Sequence, residues 1–235
     1  LPAGAMDAIF SIITASDLVA LGFFIVAWLA FEALVDYSGW RKTSLSGLMA
    51  IRRREWMMTL VERDLRMIDT AIVTGLQQGS AYFGSASILA IGGCLALLSS
   101  ADAVLQIYRD IPFTEAVSRG VYEIKVFGLT TIFVYAFFKF GWAYRLFNYC
   151  SILIGGVRHT QDSSYDERRT AALRAAEMNI IASRHFTAGM RAIFFGLAYL
   201  GWFLGPWALI VTTSFVIAVL VRRQYFSGAR RVLLD

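Results

Sequence analysis

Five ionisable residues stand inside or at the ends of long apolar runs: Glu32, Asp36, Asp69, Glu123 and Lys139. A charge in such a run is costly unless it has a partner or a task. Residues 134–149, "VYAFFKFGWAYRLFNY", show the pattern, with Lys139 and Arg145 set among aromatic rings. Such charges line an ion path, clamp two helices together, or stretch their heads to the membrane surface. A second set is uncharged. Thr74, Gln77, Gln78, Ser80, Tyr82, Ser85 and Ser87 make half of one apolar run polar. Amides and hydroxyls in hydrocarbon need hydrogen-bond partners. They either join neighbouring helices or line a hydrated path, and Thr74, Gln77, Gln78 and Ser85 are the candidates for that lining.

Covalent chemistry has no comparable support. The chain has no G-x-S-x-G, no P-loop and no zinc-protease helix. His159 and His185 are not at a helix spacing that would hold a metal. Cys94 and Cys150 form no CxxC or Cys/His ligand spacing, and read as small apolar core residues. The expectation is a protein that is not an enzyme and uses no cofactor and no metal.

The elements that position these residues are membrane helices. The chain is 57% hydrophobic and 17% charged, with mean hydropathy +0.59. Soluble domains run near 45–50% apolar and about 25% charged. The net charge of +5 does not indicate nucleic acid, because no recognised binding motif is present and the arginines flank apolar runs, as they do in membrane topology. Leu1 to Ala5, ahead of Met6, read as a cloning remnant. The remainder reads as one integral membrane domain.

A spanning helix needs about 20 mostly apolar residues. Residues 17–37, 71–98, 121–140 and 192–220 meet that test, which predicts an all-α bundle of four transmembrane helices. Asp17 is placed to cap the first, and Glu32 and Asp36 share one of its faces. Gly75-x-x-x-Gly79 is a small-xxx-small pattern for close helix approach. Gly205-Pro206 interrupts the fourth span, as a kink or as the tip of a re-entrant hairpin.

Arginine and lysine crowd the stretch after the first span and the stretch after the third, whereas Arg109 and Arg119 alone occupy the loop between spans two and three. The positive-inside bias places the crowded loops in the cytoplasm and the N-terminus outside. Four spans then leave Arg222, Arg223, Arg230 and Arg231 on the wrong side. Both crowded loops read as amphipathic helices. In the first, Glu62 and Arg66 stand at i,i+4. In the second, Ser164 with Glu167 forms a capping box whose helix continues into span four.

"RREWM…R…RMIDTAIVTGLQQGSAYFGSASILAIGG", "FVYAFFKFGWAYRLFNY", "GLAYLGWFLGPWALI" and "RRQYFSGARR" together resemble the bacterial inner-membrane family catalogued as domain of unknown function five-nine-nine. The resemblance implies a four-span inner-membrane protein and brings no activity with it.

Local readings then follow. Lys139 either reaches the cytoplasmic interface, where Trp142, Tyr144 and Tyr149 form an aromatic belt, or pairs with Glu32 or Asp36 as a gate or clamp. Phe133, Phe137, Phe140, Tyr144 and Phe147 form one helical stripe, a packing seam. Asp69 is expected to pair with Arg66. Asp102, Asp110, Glu115 and Glu123 form an acidic outer rim. The functional expectation is a channel or transporter for an ion or small solute, with a pathway formed by a homo-oligomer. The alternative is a non-transporting accessory protein. Its basic helix, with Arg52, Arg53, Arg54 and Trp56, would hold anionic lipid or a partner protein.

Overall fold

The computed structural model describes residues 14–110 and 118–234, and all regular structure in them is helical. Leu1 to Ala5, Glu115 and the side chain of Asp110 lie outside the described part. Helix α1 is Ala15–Asp36, followed by a 3-10 turn at Gly39–Thr43 and α2 at Leu45–Leu60. Helix α3 is Met67–Ser99, α4 is Ala101–Asp110 and α5 is Arg119–Gly155. Helix α6, Tyr165–Tyr199, ends in a 3-10 turn at Leu200–Phe203; α7 is Pro206–Tyr225 and α8 is Gly228–Val232.

Short hydroxyl side chains start most of these helices by accepting from free amides of the first turn. Ser164 accepts from Glu167 N at 3.3 Å, as its capping signature predicts, and α6 continues unbroken into the apolar segment. At α1 the cap is Thr14, which accepts from Asp17 N at 3.2 Å. Asp17 therefore lies one turn inside the helix and not at its cap.

Among the described residues, five helices are long and apolar enough to cross a membrane, against the four expected: α1, α3, α5, α6 through Phe203, and α7. The difference arises at Gly205. Its φ of 136° lies in a region open only to glycine, so the helix stops there, and Pro206 starts the next with no amide to leave unbonded. Thr212 Oγ1 reaches back to the Ala198 carbonyl at 2.7 Å. The Arg223 guanidinium lies 5.3 Å from the Phe194 ring centre. The interrupted run is thus two helices folded back on each other.

Two helices also outlast their apolar stretches. Helix α5 has 37 residues, a length of about 55 Å at 1.5 Å per residue, against a hydrocarbon thickness of about 30 Å. Its excess, the first half of α6, and α2 pack into a separate core of Met57, Leu60, Phe147, Cys150, Ile154 and a run of alanines at Ala172, Ala175 and Ala176. The other main core joins α1, α5, α6 and α7 through Phe24, Tyr122, Phe195, Tyr199, Trp202 and Leu209. Helix α3 packs along α5, and α1 along α7.

Phe140 links the two cores. Its ring stacks on Phe83 at 5.6 Å and meets Phe186 edge-on at 5.6 Å. The expected aromatic stripe divides accordingly: Phe140 and Phe147 are buried, while Tyr144 points outward.

Helix α2 ends at Leu60, short of the run to residue 69 that its periodicity suggested. Glu62 and Arg66 are therefore not neighbours on one helix. Arg66 donates instead to the carbonyls of Val157 and of Arg158 (2.9 Å), satisfying the end of α5.

Gly189 makes room for Phe140. A Cβ there would lie 2.8 Å from Phe140 Cζ, and that ring is held on two sides by others. Gly189→Ala is expected to lower stability by about 1–3 kcal/mol, the usual cost of overpacking. A thermal unfolding midpoint in detergent checks it, and an unchanged midpoint contradicts the packing described.

Candidate functional site

A cavity of about 450 Å³ opens where α1, α2, α3, α6 and α7 converge at the arginine-rich end of the bundle. Phe31, Leu76, Phe147, Ile180, Met190, Phe194 and Leu220 give it apolar walls. Arg41, Arg53, Arg184, Arg191 and Arg223 line it as well, with Asp36 the acidic residue among the lining. Gly75 and Gly79 belong to its wall. A Cβ at either would meet nothing within 4 Å, so this pair leaves space and is not the close helix contact its spacing suggested.

The deepest charge in the wall is Arg191. It donates to both carboxylate oxygens of Asp36, one bond at 3.3 Å, and its Nε lies 3.9 Å from Glu32 Oε1. Side-chain exposures of 5% for Arg191, 21% for Glu32 and 25% for Asp36 place the triad largely out of water. The Nε and Glu32 Oε1 face each other with no hydrogen bond from any described residue. Glu32 and Asp36 do share a face, as their spacing required. Their partner, however, is Arg191 and not Lys139. Lys139 Nζ lies 5.1 Å from the Tyr135 ring centre, and Arg145 bonds Tyr149 OH at 2.6 Å. Sequence reasoning left Arg191 among the loop arginines. The signal was the capping box at Ser164: a helix unbroken from there carries Arg191 into the bundle.

The other cavity arginines meet neutral groups. Arg53 donates to Asn179 Oδ1, and its burial pushes the guanidinium below its usual range. Arg223 rests on the Phe194 ring. Gln224 Nε2 bonds Ser46 Oγ at 2.6 Å across the cavity rim. Gly47, also at the rim, has no space for a Cβ, which would fall on the Arg41 carbonyl.

At the opposite end of the bundle, Trp202 Nε1 donates to Asp17 at 2.6 Å. Lys125 Nζ donates to the Trp202 carbonyl at 2.8 Å and lies 3.9 Å from Asp17. All three side chains are buried. Asp17 had been read as a cap, and neither Trp202 nor its bond to Asp17 was anticipated.

The remaining sequence candidates are dispersed. Asp69 is fully buried and accepts from Trp56 Nε1 at 2.7 Å, with Arg63 at 3.8 Å. Its expected partner, Arg66, is engaged elsewhere. Glu123 bonds Arg119 at 2.8 Å, and Arg119 also bonds Asp102 at 3.1 Å, so this part of the acidic rim is internally neutralised at the surface. Gln77 donates to Asn148 Oδ1 at 3.0 Å, joining α3 to α5. Thr74, Gln78 and Ser85 lie on the exposed face of α3, away from the cavity. Arg52 bonds Glu55 at 2.9 Å and Arg54 bonds Glu177 at 2.8 Å.

The family model described as a protein of unknown function, DUF599, matches residues 19–229. The chain belongs to the DUF599 family. No curated protein and no solved structure matches it. The match covers α1 through the start of α8, so the cavity and both buried charge clusters, Asp17 excepted, lie within the DUF599 region.

A loop clamp stands beside the site. Asp64 accepts from Thr160 N at 3.1 Å and from its hydroxyl at 3.0 Å, with His159 Nδ1 at 3.6 Å. The Thr160 amide, then its hydroxyl, holds the Asp64 carboxyl below its usual range. A depressed native value means the clamp is fully present above the ordinary aspartate pKa, about 3.9. It is lost as pH falls through the lower native value. Protection of the amides of residues 156–164, taken against the intrinsic exchange rate at each pH, should fall on acidification below about pH 4 and already be low at pH 7 in Asp64→Ala. Arg191→Ala should cost about 3 kcal/mol, because two half-buried carboxylates lose their cation. Lys139→Ala should cost about 1 kcal/mol or less. Unfolding midpoints of the two variants compare these directly.

Proposed function

We propose that this DUF599 protein is a bacterial inner-membrane transporter for an ion or small solute, entered from the cytoplasm through the arginine-lined cavity. The observation that carries the reading is the cavity's position. It opens beside the helices that pack outside the bilayer and reaches a buried ion cluster on α1 and α6, both long and apolar enough to span. Ionisable groups at such depth are functional candidates by default.

Five crossings support the accompanying topology. They put the arginines of the first loop, of the α5–α6 connection and of the tail on one side, which the positive-inside bias makes cytoplasmic. Arg230 Nε bonds the Thr43 carbonyl at 2.7 Å, and Arg52 bonds the Leu233 carbonyl at 3.1 Å, so tail and first loop meet. The N-terminus is then periplasmic. The pathway runs inside each chain. The outward polar face of α3, with Thr74, Gln78 and Ser85, supports assembly of like chains, since an amide facing hydrocarbon gains from a partner. An accessory role through Arg52, Arg54 and Trp56 draws less support, because those side chains already bond Glu55, Glu177 and Asp69.

Purified protein in sealed vesicles should pass one of the common small ions or solutes faster than protein-free vesicles do. Thr187→Trp, which fills the cavity from α6, should cut that flux at least tenfold while leaving the fold intact by circular dichroism. Flux absent for common cations and anions, or unchanged by the plug, sinks this reading.

A further inference from the structure

We propose that the cavity binds a phosphate-bearing anion, its charge held by the arginines at the rim and any apolar body by the walls below. This rests on the reading of the cavity as the working site, and names the class of ligand it takes. Four of the lining arginines, Arg41, Arg53, Arg184 and Arg223, have neutral partners or none among the described side chains. The two carboxylates nearby, Glu32 and Asp36, are held by Arg191. Several guanidinium groups around one open, half-apolar cavity favour an anion among them. Among the described residues, no carboxylate besides Asp36 lines that place.

The chemistry of the donors narrows the anion. Planar guanidinium forks match the paired oxygens of phosphate, and several forks together suit an ion of more than one oxygen and more than one charge. The volume is that of a small organic ligand; a halide would leave most of it empty. Phe31, Phe194 and Leu220 give the inner wall no donor for a second polar group. Arg53 points the same way: burial without an acidic partner disfavours its charge, and a bound anion removes that penalty.

A lipid headgroup and a free phosphate share this chemistry, and the test separates them. Purified full-length protein in an uncharged detergent is titrated at constant ionic strength with sodium phosphate, with dioctanoyl phosphatidylglycerol and with sodium chloride. The thermal midpoint and native mass spectra are read. Saturable stabilisation by phosphatidylglycerol alone supports the proposal with a lipid as source; stabilisation by phosphate as well supports it with a soluble ligand. The double variant Arg41→Gln, Arg184→Gln should need at least tenfold more of the active probe. Neither side chain has a hydrogen bond to lose in the fold. Arg184→Lys, which keeps the charge and loses the fork, should fall between it and the parent protein. Arg169→Gln, exposed and away from the cavity, should titrate like the parent. No response to either phosphate probe, a response matched by chloride, or an equal loss in Arg169→Gln overturns the proposal. Binding without vesicle flux removes the transport reading and leaves this one; flux without binding does the reverse.

Discussion

Hydrocarbon offers buried charge no solvent, and the arrangement of α1 depends on that fact. Much of this helix faces outward: Val19, Val26 and Leu29 are 68%, 67% and 61% exposed. In lipid those faces gain nothing by meeting another apolar surface. What fixes α1 is polar and sits at both ends. Near its start Asp17 takes the Trp202 indole and lies beside Lys125. Near its end Glu32 and Asp36 take Arg191. Each tie costs desolvation, and each would cost more if one partner were missing. Between them Phe24 and Trp28 pack on Phe195, Trp28 stacking on its ring at 5.0 Å. Two polar clamps set the helix, and the aromatic contacts fill the length between.

The rest of the molecule answers to a different solvent. Away from these clamps, α2 and the extended ends of α5 and α6 are held by ordinary burial. Met57, Leu60, Phe147 and Ile154 are almost fully covered, and each such side chain contributes about 1.5–3 kcal/mol there. Alanines at 172, 175 and 176 let α6 approach α5 closely. Because α5 and α6 run through both regions, they transmit position from one to the other. Arg53, through its bond to Asn179 of α6, and Arg191, on α6 itself, are set on the same cavity by that helix.

Much of this was legible in the residues. Apolar length gave the spans, the paired acids gave one face of α1, and Ser164 with Glu167 gave the start of α6. Three features were not legible, for distinct reasons. The reversal at Gly205 depends on a backbone angle, and glycine before proline is compatible with a kink or with a turn; the arginines after α7 were the one hint, and they argued against four spans. Arg191 was hidden because apolar composition marks where a helix can enter lipid, not where it began. Asp69 was assigned to Arg66 by spacing alone, but spacing counts only along an unbroken helix, and α3 starts at Met67. Gln77 and Gln78 show the same limit at finer scale. Adjacent on one helix, they point about 100° apart, so one reaches Asn148 while the other faces out.

The cavity lies where the two regimes meet, and its composition follows from that. Helix α3 is packed along one side of the α5–α6 pair and α1 with α7 along another, so their ends enclose space that α2 only partly covers. Large side chains from α3 would fill it, yet Gly75 and Gly79 stand there. Acidic side chains would neutralise its rim, yet Glu55 on α2 and Glu177 on α6 bond Arg52 and Arg54 outside it. Arginine suits such a boundary better than lysine, because its weakly hydrated guanidinium tolerates partial burial while keeping its charge. Cations outnumber carboxylates in this chain, 22 to 17, and the ion pairs that form at this end leave out Arg41, Arg184 and Arg223. That distribution leaves a positive, half-apolar chamber, with five arginines and one aspartate in its lining.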